Sequence, residues 1–202
     1  VLWSLRKNPT ELTASSISEA YAAGARAYDD DAAAKAERDA LNVEIYKGED
    51  AELMKLWTDA RAVTVDAFNE IYKKLDIKFD RFFYESEVTT LGMEKVEEGK
   101  AKGILNESES AVIYPGNEER HFPPLVFVTS RGTPTYEAKD LGIAVLEDEE
   151  FPNAEWYILT AAEQIGHFQV VKAVLSEIDP TLGARLNHVP HGMLLLPEGK
   201  MS

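Results

Sequence analysis

The chain has 202 residues, with 21 Lys and Arg against 36 Asp and Glu, a formal net charge of −15, and no cysteine. That length allows one sizeable core, or one core with a helical appendage, and the lack of thiols excludes disulfides, thiolate zinc sites and a cysteine nucleophile. So acidic a chain argues against a generic polyanion binder, whose affinity rests on Lys and Arg neutralising phosphates, and leans towards a cationic ligand.

The amino end, Val1-Leu2-Trp3-Ser4-Leu5-Arg6-Lys7, lacks the apolar region and cleavage site of a signal peptide. No stretch of the chain approaches the run of about 20 apolar residues that crosses a membrane. No membrane association and a cytosolic location are therefore expected. Ser16-Ile17-Ser18-Glu19 fits a capping box, which places a helix start near Ile17. A second helix is expected after Gly48-Glu49-Asp50, with Leu53, Leu56, Trp57, Ala60, Val63, Ala67, Ile71 and Leu75 on one stripe. The two are expected to pack as a long antiparallel hairpin filling residues 1–78.

From Phe79 short apolar runs alternate with amphipathic helices, so residues 79–202 read as an α/β unit built on a parallel sheet. The expected order is a strand at Phe79–Tyr84, a helix from Val88 to Lys102 ending at Gly103, and a pair of strands at Ala111–Tyr114 and Leu125–Val128. A helix from about Thr135 to Leu146 follows, then a strand at Trp156–Leu159, a helix from about Gln164 to Ile178, and a last strand within His188–Leu196.

Three segments carry the candidate chemistry. In Gly132-Thr133-Pro134-Thr135-Tyr136-Glu137-Ala138-Lys139-Asp140, Pro134 suits a first helical turn, and Tyr136 and Asp140 share one helix face. A carboxylate beside an aromatic hydroxyl can embrace a guanidinium, although the same spacing also describes a half-buried ring next to a solvated charge. In Trp156 to Phe168, a strand running through Ala161 into Glu163 and Gln164 places those side chains at the carboxyl end of a sheet, where open α/β folds bind ligands. Glu163 could accept from ribose hydroxyls and Gln164 could bond a polar substrate end; a capped helix start with a solvated acid is the plainer reading. His188 and His191 invite a metal reading, but no third ligand of suitable type accompanies them, so no protein-bound metal is expected. Gly199-Lys200-Met201-Ser202 reads either as a frayed tail or as a loop whose lysine neutralises phosphate charge.

Taken in order, Gly132-Thr133-Pro134-Thr135-Tyr136 with Asp140, Glu163-Gln164 with His167-Phe168, His188 through Met193, and Gly199-Lys200-Met201-Ser202 resemble the catalytic domain of class I arginyl-tRNA synthetases. The resemblance covers nearly the whole chain and is most specific from Phe79 onward. It implies an α/β fold forming the second half of a Rossmann-type parallel-sheet catalytic domain, preceded by a helical insertion. It implies arginine, ATP and tRNA as partners, with Mg2+ accompanying the ATP. Tyr136, Asp140 and Gln164 would hold arginine; Ala161 and Glu163 would line the ATP ribose; Gly192 and Met193, with His191 nearby, would flank the adenine. Lys200 and Ser202 would act on the triphosphate as arginyl-adenylate forms. The family's His-Ile-Gly-His type motif is absent from the sequence, and positions 161 and 163 are Ala and Glu where many relatives carry Gly and Asp. An internal fragment that is inactive alone is therefore expected, with a non-catalytic interaction module derived from a synthetase as the alternative.

Overall fold

The computed structural model describes residues 1–193, and the chain divides into two compact units, Val1–Phe82 and Phe83–Ser202.

The first unit is helical: α1 (Leu2–Lys7), α2 (Ala14–Asp30), α3 (Ala32–Lys47) and α4 (Ala51–Lys74). The capping box lies one turn earlier than the sequence suggests. Thr13 is the N-cap and accepts from the Ser16 amide at 3.1 Å, while Ser16 Oγ accepts from the Thr13 amide at 2.9 Å. What reads as one long helix is broken at Asp31, whose extended backbone (φ −134°, ψ 112°) ends α2 and whose carboxylate accepts from Ala33 N at 2.8 Å to start α3. The unit is thus a set of packed helices, not a simple hairpin. Leu5, Ala20 and Ala60 form its buried centre, with Leu12, Ile17 and Leu56 packed around them. The expected start of α4 holds, because Asp50 accepts from Leu53 N at 2.9 Å. Its apolar stripe is buried at Leu53 and Ala60 but exposed at Ile71, with Leu75 exposed just beyond the helix.

Residues 79–84 form no strand. Phe79 and Phe82 fold back on Tyr72 instead, with ring centroids 4.9 and 6.2 Å away. Aromatic clustering outcompetes sheet pairing in this stretch.

The second unit is mixed α/β. Its order is α5 (Glu85–Ala101), β1 (Asn106–Ser108), β2 (Ala111–Tyr114), β3 (Leu125–Val128), α6 (Tyr136–Glu150), β4 (Trp156–Ala161), α7 (Ile165–Ile178), α8 (Pro180–Arg185) and β5 (Leu186–His191). Strands β1, β2 and β3 pair antiparallel in that order. Strands β4 and β5 pair parallel, from Trp156 opposite Leu186 to Ala161 opposite His191. Parallel pairing among the described residues is therefore narrower than the sequence reading, and β1 and α8 are additions to it. The last strand begins at Leu186 and ends at His191; residues 194–196 of the expected run lie outside the described residues.

Helix α7 is apolar on most sides because it is covered on most sides. Phe168, Val170, Val171, Ala173, Val174, Leu175 and Ile178 are all buried in it, and each large apolar side chain so removed from water contributes about 1.5–3 kcal/mol. Val170, Val171, Val174, Leu175 and Ile178 join Phe127, Leu141 and Leu186 in one core. Helix α5 crosses α6 closely enough that a methyl added at Gly92 would sit 2.2 Å from the Ala138 carbonyl oxygen, and one at Gly142 would sit 2.3 Å from that of Val88. That contact fixes the first turns of α6, where the candidate arginine ligands lie.

Candidate functional site

The loop between β3 and α6 is tied to the strand it leaves. Thr129 and Thr133 share a hydroxyl hydrogen bond of 2.7 Å, Gly132 takes the left-handed conformation (φ +77°), and Thr135 N donates to the Phe127 carbonyl at 3.0 Å. Pro134 is not in the first helical turn; it bridges to Val128, and Thr135 is the N-cap of α6. Tyr136 and Asp140 nevertheless stand one helical turn apart on α6, as the spacing predicts.

Their surroundings differ from the plainer expectation in both cases. The Tyr136 ring is 68% exposed, with the Lys139 ammonium 5.2 Å from its centroid. That ammonium is itself held by Glu85 Oε2 at 2.6 Å. Asp140 is not a solvated charge: its side chain is 22% exposed, and its Oδ2 lies 2.6 Å from His167 Nε2. The other imidazole nitrogen, Nδ1, faces Glu137 Oε1 at 3.5 Å. A carboxylate offers only acceptors, so an imidazole between two of them carries protons on both nitrogens. The hydrogen bond to Asp140, then that to Glu137, raise the His167 pKa to about 9 against the opposing effect of burial. Burial would raise the Glu137 carboxyl, but hydrogen bonds from His167 and Thr135 hold it below its ordinary value. Burial, with the Asp140 charge added, pushes Glu147 up to about 7.

His167 is the third residue of α7, so its bond to Asp140 joins the first turns of α6 and α7. Gln164 caps α7 at the end of a 3-10 turn, Ala162–Gln164, that follows β4. Glu163 and Gln164 are exposed on that turn, and Ala161 closes the strand before it. The pairing of Ala161 with His191 brings the carboxyl ends of β4 and β5 side by side, so Ala161, the 3-10 turn, His191, Gly192 and Met193 share one edge. This is the edge at which α/β folds place ligands. Lys200 and Ser202 lie outside the described residues.

His188 and His191 are three apart on β5 and so fall on opposite faces of the strand. His188 Nε2 shares a 2.8 Å hydrogen bond with the Thr160 hydroxyl, and His191 Nδ1 faces the Gly192 carbonyl at 2.8 Å. Among the described residues no group of three or more His, Cys, Asp or Glu could hold a metal, and no helix is long and apolar enough to cross a membrane. Sequence reasoning missed the tie between Asp140 and His167. The residues stand 27 positions apart, and nothing in local spacing links them.

The candidate residues of this mixed α/β unit thus lie at the start of α6 and at the carboxyl ends of β4 and β5. Residues 6–202 match the family model of the class I (R) tRNA synthetase catalytic domain, and the chain belongs to that family. Over 152 residues it is 32% identical to an arginine–tRNA ligase of Parabacteroides distasonis, covering 75% of this chain and 26% of that protein. Over 168 residues it is 29% identical to an arginine–tRNA ligase of Treponema denticola, covering 83% of this chain and 28% of that one. The chain thus spans about a quarter of the length of the curated relatives it matches. The crystal structure of arginyl-tRNA synthetase from Plasmodium falciparum superposes with a TM-score of 0.68 at 18% identity, over 94% of this chain and 31% of that one, which shows a common fold.

Proposed function

We propose that the chain forms the arginine- and ATP-binding part of a cytosolic arginine–tRNA ligase. The observation that carries this reading is Asp140. Its carboxylate sits mostly out of water at the start of α6, one oxygen engaged by His167 and the other bonded to no described residue, one turn from the exposed Tyr136 ring. A guanidinium offers the fork of N–H donors that such an oxygen lacks. Membership of a catalytic-domain family whose curated relatives are arginine–tRNA ligases supports the same reading over a non-catalytic interaction module.

In this reading Tyr136 and Asp140 hold the guanidinium, and Gln164 holds the polar end of the amino acid. Ala161 and Glu163 line the ribose, and His191, Gly192 and Met193 line the adenine. Lys200 and Ser202 contact the triphosphate, together with the Mg2+ that ATP brings. The arginine carboxylate attacks the α-phosphorus and pyrophosphate leaves; the terminal ribose of the tRNA then takes the arginyl group and AMP leaves. The chain's task in both steps is positioning and stabilisation of phosphate charge. The second half of a Rossmann-type sheet is the framework proposed for residues 79–202, with residues 1–78 as a helical insertion preceding it. The test is competition in arginine charging of tRNA by the full-length enzyme. Citrulline, which has the shape of arginine without its charge, is expected to compete at least about a hundredfold more weakly, the loss of a partly desolvated ion pair. Equal competition by citrulline would remove Asp140 from its assigned role.

A further inference from the structure

The proposed reading leaves one charged group beside Asp140 without a task. His167 stands between Glu137 and Asp140, 3.5 Å from the first and 2.6 Å from the second, and the side chains of His167 and Glu137 are each only 17% exposed. The two carboxylates belong to the first turns of one helix and the imidazole to the first turn of another, so the three groups are held by separate elements and not by local chain geometry.

Two consequences follow from that arrangement. An aspartate on a helix is free to change rotamer, and a hydrogen bond from a mostly buried cation removes that freedom. The bond uses Oδ2 of Asp140 and leaves Oδ1 without a partner among the described residues. The second consequence concerns charge. Two carboxylates and one imidazolium sum to −1, which one guanidinium balances; without the imidazolium the same place would present −2 to its ligand.

The remaining neighbours keep the imidazolium where it is. The Phe168 ring lies edge-on to His167 with centroids 4.8 Å apart, and its other side stacks on His188 of β5 at 4.6 Å. Burial, and then the charge of His167, hold the His188 pKa below its ordinary value. On α6, Glu147 adds a further acid whose titration is coupled to the Asp140 charge.

We propose that His167 is a positioning residue for the amino-acid substrate: clamped between Glu137 and Asp140, its imidazolium aims the free oxygen of Asp140 at the guanidinium and reduces the charge that these two carboxylates present from −2 to −1. This rests on the reading of Asp140 as the guanidinium acceptor. The test measures kcat, and KM for arginine and for ATP, in tRNA charging by the full-length enzyme as native, His167→Phe, His167→Gln and Asp140→Asn, each with its melting temperature. His167→Phe should raise KM for arginine about tenfold or more, the worth of one charge-assisted hydrogen bond, with KM for ATP moving by less than about twofold. His167→Gln, whose amide keeps a donor for Asp140 but no charge, should fall between His167→Phe and native. An unchanged KM for arginine in His167→Phe, with Asp140→Asn impaired, overturns the proposal and leaves the reading of Asp140 standing. An equal rise in both KM values also overturns it, because general loss of packing spares neither substrate. An unchanged KM for arginine in Asp140→Asn overturns the reading and the proposal together. If His167→Phe does not fold, His167→Gln decides by the same criterion.

Discussion

The proton on His167 is held up to about pH 9 against an ordinary value of 6.5, and that on Glu147 up to about 7 against 4.5. In both cases the folded chain binds the proton more tightly than the unfolded chain does, so stability falls as pH rises between the two values. The Glu147 contribution is lost between about pH 4.5 and 7, and the His167 contribution is full below 6.5 and lost as pH passes 9. Thermal melts from pH 5 to 9.5 should show a melting temperature that declines across this range. In His167→Gln the decline above pH 6.5 should flatten; an unchanged slope would mean that the imidazole is not the group titrating. At this scale the sequence was informative about Tyr136 and Asp140, because four-residue spacing survives wherever the helix begins. It was silent about the partner of His167, which is set by how two helices dock.

At the scale of elements, the legible pieces were those with an apolar pattern and a clear stop. Strands β2, β3 and β4 and helices α4 and α7 lie close to where periodicity puts them. Strand β1 escaped notice because Asn106, Glu107 and Ser108 are all exposed and carry no apolar signal. The break at Asp31 is hidden in an alanine-rich run that favours helix on both sides. Residues 79–84 look like a strand, but Phe79 and Phe82 are spent on a ring cluster about Tyr72. The α5–α6 crossing had no sequence signal beyond its glycines, and it decides where the site helix sits. Gly142→Ala places a methyl against the Val88 carbonyl and the Gly92 backbone, with distances of 2.3 and 2.7 Å. It should cost about 1–3 kcal/mol or more in urea unfolding, as overpacked contacts do. Gly48→Ala, where an added methyl meets nothing within 4 Å, should cost only the strain of its left-handed backbone, about 1 kcal/mol; similar losses at both glycines would mean that the crossing is looser than described.

For the whole molecule, the net charge of −15 and the family assignment pull in different directions. A synthetase must meet a polyanion, yet this chain has few cations to spare for phosphates. The two facts agree if these residues, as proposed, serve arginine and ATP and not the tRNA backbone, and a cationic substrate is one that an acidic region favours. In the proposed function it is Asp140 that selects that cation. Steady-state charging of tRNA with arginine by the full-length enzyme, native against Asp140→Asn, tests it most directly. In Asp140→Asn, kcat/KM for arginine should fall by about 2–5 kcal/mol in free-energy terms, in a protein that still folds but melts lower as the His167 contact is lost, because a partly desolvated ion pair is broken. A loss below about 1 kcal/mol, the worth of an exposed pair, would contradict it.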